Sequence, residues 1–259
     1  MDRQVWEHLG GEQEPSWYLD PITARQKRET HASMIEKWTE GMRVERVLKT
    51  DLFEEAFGED SLLESLFPCA ETVCGLDAAF SIAERAFRRH ENQIQTLVSD
   101  VRNLGVQDRS VDVVVSTSTL DHFDRRADFL MAIAELSRVL KTGGLLIITL
   151  DNPWNPLYYP LRWSTKRGVG PFSLGYTESV TQLERDLNAA GLRPENRDWL
   201  LHNPRGVSTL LFLAIRKMLN RRTADRLIHR LLIMHEQLNK LPTRKLTACF
   251  LAVAARKQI

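Results

Sequence analysis

Short apolar runs alternate with amphipathic segments through the middle of the chain. Five runs are rich in β-branched residues and mostly apolar, at 44–50, 72–77, 95–100, 111–117 and 145–150. A continuous apolar run of this length is typical of a strand that is covered on both faces of its sheet. Because helical spacing returns between the runs, the pattern predicts strand–helix–strand units that form a parallel sheet with helices on both faces.

Two helices of this pattern have predicted ends. Residues 126–140 carry apolar side chains at helical spacing, and Gly143 and Gly144 follow where a left-handed glycine would end the helix. A later helix is expected to begin after Thr177, whose hydroxyl can cap it, and to end at Gly191.

Two segments outside the alternating pattern look helical. Residues 1–43 are predicted to be a helical cap, and residues 205–245 to form two helices inserted before a last strand within 246–259. Residues 44–204 would form the core. The predicted fold is therefore an α/β, Rossmann-like, seven-stranded and mostly parallel sheet with a helical cap and a helical insertion.

The charge is unevenly distributed, although the net charge is +1. Residues 201–259 hold 12 Lys and Arg against 2 Asp and Glu, so they carry +10 while residues 1–200 carry −9. The predicted insertion has a basic stripe (Arg222, Arg226, Arg230) and an apolar stripe (Leu227, Leu231, Met234, Leu238). Three interpretations stay open: a lid with a solvated outer face, a surface that meets an anionic membrane, and a site for substrate phosphates. No nucleic-acid-binding motif supports the third, so nucleic acid is disfavoured as a partner.

Cysteine spacing and hydropathy indicate the compartment. The three cysteines, Cys69, Cys74 and Cys249, lack the paired spacing of a zinc site and are typical of a reducing environment. No run approaches the roughly 18 apolar residues of a membrane span, and the first residues do not resemble a signal peptide. We expect a cytoplasmic protein without a metal site, peripheral to the inner membrane face if the basic insertion binds lipid.

Acidic residues stand at the carboxyl ends of the first three predicted strands, at Asp51 after Thr50, at Asp77 and at Asp100. Ligands of open α/β sheets bind beyond these strand ends. Asp77 occupies the place after the second strand from which a carboxylate can accept hydrogen bonds from a ribose diol. The alternative is that Asp77 and Asp100 only cap turns, as aspartate often does after a strand.

The turn that follows the first predicted strand favours some classes of nucleotide ligand over others by its glycine content and charge. A pyrophosphate requires a glycine-rich turn whose backbone N–H groups can approach it, whereas residues 51–60 contain one glycine, Gly58, and five carboxylates. Two unit charges about 4 Å apart interact by about 1 kcal/mol even in water, so this turn is expected to repel phosphate. S-adenosylmethionine, which carries a sulfonium and an ammonium group, fits an acidic turn better.

The chain resembles the class I S-adenosylmethionine-dependent methyltransferases over roughly residues 44–200. The resemblance is carried by SVDVVVSTSTLDHF, by the helix end AELSRVLKTGG and by the strand LLIITL. It implies that the second-strand acid binds the ribose, that the third-strand acid frames the adenine, and that the turn after the fourth strand lies beneath the methionine part. The corresponding residues are Asp77 with Ala78, Asp100 with Val101, and Ser116 with Thr117.

The first loop departs from the G-x-G-x-G pattern of that family. It resembles a subgroup whose first loop reads LKTDLF and whose fifth strand continues into TLDNPWNP, here at 149–156. Thr50, Asp51 and Gly58 are the candidate cofactor-binding residues of this loop. Asp51 is the candidate partner for the ammonium group of the cofactor.

Methyl transfer mainly requires alignment of the acceptor and exclusion of water, because the cofactor supplies the electrophile. His122, just after the fourth strand, is the candidate general base for a hydroxyl acceptor; alternatively, its ring only hydrogen-bonds the next loop. The candidate acceptor-binding residues are Trp17, Tyr18, Asp151, Asn152, Trp154 and Tyr158. Their alternatives are turn formation for the Asp-Asn pair and ordinary cover packing for the aromatic residues.

The sequence therefore predicts a biosynthetic methyltransferase that acts from S-adenosylmethionine on a small-molecule or lipid-like acceptor, with oxygen as the favoured atom. One rival is a catalytically silent partner subunit with this fold, because a glycine-poor first loop is also what a decayed cofactor site would show. The other rival is a membrane-associated methyltransferase that acts on a lipid-linked sugar.

Overall fold

The computed structural model describes residues 7, 20–66, 70–90, 93–168 and 174–258. The strands in these residues are β1 (Arg46–Thr50), β2 (Thr72–Asp77), β3 (Gln95–Val98), β4 (Val111–Thr117), β5 (Leu140–Asp151), β6 (Leu192–Leu200) and β7 (Phe250–Lys257). They form one sheet in the order β3-β2-β1-β4-β5-β7-β6. Pairing is parallel from β3 to β5, and β7 is antiparallel to both β5 and β6. The predicted Rossmann-like, mostly parallel sheet is confirmed.

The helices in the described residues lie on both faces of this sheet. They are α1 (Pro21–Thr39), α2 (Phe53–Phe57), α3 (Leu63–Leu66), α4 (Phe80–Arg89), α5 (Arg126–Val139), α6 (Tyr158–Thr165), α7 (Val180–Ala189), α8 (Val207–Met218), α9 (Arg221–Glu236) and α10 (Arg244–Thr247). Short 3₁₀ turns occupy Leu120–His122 and Gln237–Lys240.

Alternate residues of the central strands belong to two separate cores. Val113 and Val115 of β4 pack into the core that α1, α2 and α4 cover. Val114 packs into the opposite core, beneath α5 and α7. Because side chains alternate along a strand, the continuous apolar runs of the sequence are explained by burial on both faces.

β6 is the strand that the hydrophobic pattern missed. In LRPENRDWL the buried residues are Leu192 and Leu200, at its two ends. β6 lies at the edge of the sheet, where β7 is its neighbour, and edge strands carry polar and charged residues that discourage pairing with other chains. Its sequence therefore lacks the apolar run by which the other strands were found.

The predicted glycine end of α5 is wrong. α5 ends at Val139, and the backbone of Leu140 is already extended, with φ −68° and ψ 135°, so that β5 begins there. Gly143 does adopt a left-handed φ of +80°, but within β5. The β4–β5 register changes nearby, since Leu140 is opposite Val111 while Leu145 is opposite Val113. The glycines thus allow an irregularity in a strand.

α7 begins later than predicted. Ser179 caps it by accepting the N–H of Gln182, whereas the hydroxyl of Thr177 donates to the carbonyl of Asp151. Gly191 follows the helix with a left-handed φ of +78°, as a C-terminal glycine does.

Two of the helices before β7, α8 and α9, share a small core. This core joins α8 to α9 through Phe212, Ile215, Ala224, Ile228 and Leu232. Of the apolar stripe predicted on α9, Leu231 packs against this core, whereas Leu227 and Met234 are exposed. Within the described residues, no helix has both the length and the hydropathy needed to cross a membrane.

Candidate functional site

A pocket with a volume of about 270 Å³ lies beyond the carboxyl ends of β1, β2 and β3. It is lined by Asp51, Leu76, Asp77, Ala78, Val98, Ser99, Asp100, Val101, Arg102, Thr119 and Phe123. Five of these were predicted cofactor-binding residues: Asp51, Asp77, Ala78, Asp100 and Val101. The other six were missed, because apolar strand ends and the positions after them carry no signal of their own in one sequence.

The turn after β1 is shaped by an aspartate. Asp51 has a left-handed φ of +64°, which aspartate tolerates better than most residues with a side chain. Its Oδ1 accepts the N–H of Phe53 at 2.8 Å, and its carbonyl oxygen accepts a hydrogen bond from the Nζ of Lys49 at 2.6 Å. These two bonds hold the left-handed turn, a conformation for which glycine is the usual residue.

The neighbouring carboxylates of the first loop are paired inside the protein. Lys27 of α1 binds both Glu54 and Asp60. Lys49 of β1 is fully buried and lies 3.2 Å from Oε1 of Glu55. Burial raises the pKa of Glu54 to about 7, and the charge of Lys27 opposes that rise.

This pairing corrects one expectation from the sequence. The loop does not present five negative charges to a ligand, because Glu54, Glu55 and Asp60 are paired with two lysines inside the protein. Asp51 is the carboxylate of this loop that lines the pocket. Repulsion of phosphate therefore depends on Asp51 and on the acids at the ends of the other strands.

Asp77 ends β2 and is held by two backbone groups. Its Oδ2 accepts the N–H of Leu52 at 3.0 Å, and its Oδ1 accepts the N–H of Ala79 at 2.8 Å. Burial, followed by the negative charge of Asp51, raises the pKa of Asp77 to about 7. A ligand that brings hydroxyl donors or a positive charge would favour the ionised form of this carboxyl group.

Asp100 differs from Asp77 because a guanidinium holds it. The Nε of Arg102 lies 3.0 Å from Oδ1 of Asp100, and its Nη2 lies 2.6 Å from Oδ2. These bonds lower the pKa of Asp100 below its usual value. Arg102 also binds Asp128 and lies over the ring of Phe123, 5.2 Å from its centroid. The pocket thus pairs an acid that stays ionised with one that titrates near neutral pH.

Threonine and serine hydroxyls join the ends of β1 and β4 behind the pocket. The Oγ1 of Thr50 donates to Oγ of Ser116 at 2.9 Å and lies 2.8 Å from Oγ1 of Thr119. Thr119 lines the pocket, whereas Thr50, Ser116 and Thr117 are buried and do not. Gly58 is also absent from the lining and ends α2, with its N–H bound to the carbonyl of Glu54.

Residues 54–148 match the family model described as a methyltransferase domain. They include the ends of β2 and β3 and the residues after β4 that line the pocket. Residues 54–148 are therefore a methyltransferase domain. The predictions of a methyltransferase enzyme and of S-adenosylmethionine as its cofactor are thereby confirmed. The finer subgroup, defined by LKTDLF and TLDNPWNP, stays a prediction, and no curated protein matches the sequence.

Solved structures share the fold over nearly the whole chain. The partner of the Haloferax volcanii methyltransferase activator Trm112 is 16% identical with a TM-score of 0.60, covering 99% of this chain and 97% of that one. N-methyltransferase NodS from Bradyrhizobium japonicum WM9, in complex with S-adenosyl-L-homocysteine, is 14% identical with a TM-score of 0.60, covering 98% and 97%. Geranyl diphosphate C-methyltransferase from Streptomyces coelicolor A3(2) is 15% identical with a TM-score of 0.59, covering 96% and 86%. At these identities, the likeness is one of fold.

Two buried carboxyl groups lie where β4 and β5 of the methyltransferase domain end. Asp121 accepts the N–H of Asp151 at 2.7 Å through Oδ2, while its Oδ1 is buried without a hydrogen-bond partner in the described residues. Burial, followed by the charge of Asp151, raises the pKa of Asp121 well above its usual value. Asp151 is bound by Arg205, which precedes α8. This cluster joins the helical segment to the sheet edge.

His122 lies in the same 3₁₀ turn as Asp121 and is half-buried. It does not line the pocket, although Thr119 and Phe123 on either side of it do. A second loop presses on this turn, since a Cβ on Gly175 would lie 2.6 Å from the carbonyl oxygen of Asp121. Glycine is therefore required at 175 if the two loops are to approach so closely.

Two of the predicted acceptor-binding residues, Asn152 and Tyr158, make hydrogen bonds within the protein. The side chain of Asn152 donates to the carbonyls of Lys245 and Ala248 and accepts the N–H of Trp154, so it fixes the chain that leads into β7. Tyr158 is buried and donates to the carbonyl of Gly175 at 3.1 Å.

Trp154 is exposed, with the Nζ of Lys245 5.1 Å from its ring centroid. Trp17 and Tyr18 lie outside the described residues. In the part of the chain that the structure describes, no three His, Cys, Asp or Glu side chains are arranged to hold a metal ion.

Proposed function

We propose that this domain transfers a methyl group from S-adenosylmethionine to an oxygen atom of a small or lipid-like acceptor. The proposal depends chiefly on one observation, the pocket in which Asp51, Asp77 and Asp100 meet apolar walls such as Leu76 and Phe123. Carboxylates can accept hydrogen bonds from a ribose and an adenine amino group and can pair with an ammonium, whereas a phosphate would be repelled. These residues fit the cofactor of the family.

Each carboxyl group has a proposed role. Asp77 binds the ribose diol, Asp100 with Val101 frames the adenine, and Asp51 pairs with the ammonium group. The bonds from Arg102 keep Asp100 in place, and backbone N–H groups keep Asp77 in place. Such fixed side chains orient a ligand at little further entropic cost.

When bound, S-adenosylmethionine supplies a methyl group activated by its positively charged sulfur. We assign His122 as the group that takes the proton of the acceptor hydroxyl as the new oxygen–carbon bond forms. The side chain of Asp121 is buried, as is that of its neighbour Asp151, so neither carboxyl group can contact an acceptor directly. Asp121 is instead a positioning residue that ties the turn of His122 to the end of β5.

The first experiment is titration calorimetry with S-adenosylhomocysteine, the product form of the cofactor. An enzyme should bind it with a dissociation constant in the micromolar range. No binding would instead identify a catalytically silent partner subunit. Mass spectrometry of small molecules that co-purify with the protein then reports the acceptor class.

The second experiment tests the proposed base with H122Q. Loss of a general base lowers kcat by about 10²–10⁴. With saturating cofactor, so that Asp77 does not limit the rate, the decline of kcat at acidic pH should disappear in H122Q, while its S-adenosylhomocysteine affinity at each pH matches that of the unaltered chain. H229Q, on the exposed side of α9, is the matched control. An unaltered pH–rate profile in H122Q would assign the ring a structural role only.

A further inference from the structure

Large apolar side chains are exposed on α8. Leu210 is 72% exposed, Leu213 62% and Met218 81%. Phe212 and Ile215 of the same helix point into the small core shared with α9. α8 is therefore apolar on its outer face as well as on its packed face. This is unusual for a helix whose outer face contacts only water.

α6 lies close to the start of α8 and exposes two aromatic side chains. A Cβ on Gly206, directly before α8, would lie 3.3 Å from Leu161 of α6, so the two helices are neighbours. α6 exposes Tyr159 and Trp163, and Arg167 lies over the ring of Trp163 at 3.6 Å. We call the exposed apolar side of α8 the apolar face; its members are Leu210, Leu211, Leu213 and Met218.

The exposed charged residues of the segment that carries the apolar face, residues 205–245, are basic. Lys217 of α8 and the predicted stripe of α9 (Arg222, Arg226, Arg230) are all exposed. The two acids of residues 205–245 have partners within the protein: Asp225 binds Arg216, and Glu236 accepts the N–H of His202. The exposed surface of this segment therefore carries a net positive charge.

The segment that carries the apolar face is attached to the sheet at the edge where the acceptor is proposed to bind. Phe250, the first residue of β7, pairs with both Asp151 of β5 and Leu200 of β6. The segment from β6 to β7, which contains α8 and α9, therefore leaves and re-enters the sheet at the edge where β5 ends. Arg205 fixes this segment to Asp151.

We propose that the apolar face, with the basic side chains of the same segment, binds the surface of an anionic lipid bilayer. Leucine and methionine can enter the acyl boundary, tryptophan and tyrosine favour the headgroup level, and arginines pair with lipid phosphates. A nucleic acid would use the arginines but leave Leu210 and Met218 in water. A second copy of the chain would bring two basic surfaces together. The inference concerns binding and does not depend on which acceptor is methylated.

The test is co-sedimentation of the full chain with vesicles of phosphatidylcholine, alone or mixed with phosphatidylglycerol. The protein should sediment with the mixed vesicles, and added salt should weaken binding because it screens the lipid charge. Two variants, L210Q/L213Q/M218Q and R222Q/R226Q/R230Q, should each lower the partition coefficient by at least about tenfold. Glutamine is a good helix former, so both helices should persist.

Matched control variants change the same residue types elsewhere on the surface. M131Q replaces an exposed methionine of α5, and K37Q/R43Q/R88Q removes three basic residues from other surfaces; both should bind vesicles like the unaltered chain. Every variant should keep the thermal unfolding temperature and the S-adenosylhomocysteine affinity of the unaltered chain. These two measurements show whether a loss of vesicle binding comes from the altered surface or from a damaged domain.

Three results would overturn the inference. The first is absence of the unaltered chain from the anionic vesicle pellet. The second is loss of binding only in the arginine variant, together with binding to duplex DNA, which would identify a nucleic-acid surface. The third is a dimer in sedimentation velocity that the leucine variant dissociates, which would identify a second copy as the occupant.

Discussion

At the scale of single residues, the first loop shows how partners change the meaning of a charge. Asp51 is the acid of this loop that lines the pocket, whereas Glu54 and Asp60 are bound by Lys27. Lys27 is 27 positions from Glu54 along the chain. Sequence reasoning found the acids but not the lysine, because their contact depends on how α1 packs over the loop.

Asp51 should be needed for the amino-acid part of the cofactor only. D51N removes a charge-assisted bond to the ammonium group, so S-adenosylhomocysteine affinity should fall about tenfold or more. Methylthioadenosine, which lacks that group, should bind D51N as it binds the unaltered chain. Calorimetry with both ligands checks this, and an equal loss for both would mean that the substitution disturbs the turn instead.

Asp77 should make cofactor binding depend on pH. Its pKa of about 7 means that the group is largely protonated at acidic pH and ionised at alkaline pH. The ionised form accepts the ribose hydrogen bonds, so S-adenosylhomocysteine affinity should rise roughly tenfold between about pH 6 and about pH 8. In D77N the affinity should be lower and nearly independent of pH. A steep rise that persists in D77N would assign the titration to another group.

At the scale of elements, β1 carries a fully buried lysine at the end that meets the pocket. Lys49 binds Glu55 of α2 and the carbonyl of Asp51. The pKa of Lys49 is raised by its acidic neighbours, against the lowering effect of burial. A strand, a turn and a short helix are thus held together by one buried charge pair.

Removing one partner of this pair should be costly. K49M leaves Glu55 buried without its cation, and such a change lowers the free energy of unfolding by about 3–5 kcal/mol. K49M/E55Q should recover part of that loss, because no unpaired charge remains. Urea unfolding of both variants, with the exposed-site variant K37M as control, provides the measurement. Equal losses in the single and the double variant would contradict the charge-pair account.

Elements buried on both faces were predictable, whereas β6 and the α5–β5 junction were not. Val113, Val114 and Val115 all face a core, so β4 reads as an apolar run. β6 faces solvent along much of its length, and the glycines after α5 permit more than one backbone path. Local sequence therefore predicts strands buried on both faces well, whereas it predicts edge strands and backbone irregularities poorly.

At the scale of the whole molecule, the positive charge of residues 201–259 and the negative charge of residues 1–200 are only partly paired. Arg216 of α8 binds Asp20, the cap of α1, as well as Asp225. Arg205 binds Asp151. Several other basic side chains of residues 205–245 remain exposed. The positive charge of this segment is therefore available to an anionic surface as well as to acids within the protein.

Arg216 should control how firmly the α8–α9 segment is attached. R216M removes the bonds to Asp20 and Asp225, so amide hydrogen exchange in α8 and α9 should accelerate by roughly tenfold. Amides of β4 and β5, which lie in the central sheet, should exchange as before. R222M, at an exposed arginine, is the control. Unchanged exchange in R216M would show that apolar packing alone attaches the segment.

The sequence by itself determined the buried strands, the mostly parallel character of the sheet and the acids at its strand ends, because burial on both faces and short-range turn chemistry leave a local record in residue order. Tertiary structure alone decided which of those acids stay available. Lys27, Lys49 and Arg102 pair with carboxylates through contacts that depend on packing between separate elements. Tertiary structure also exposed Leu210 and Met218, since the same apolar spacing would be expected of a helix face turned into a core.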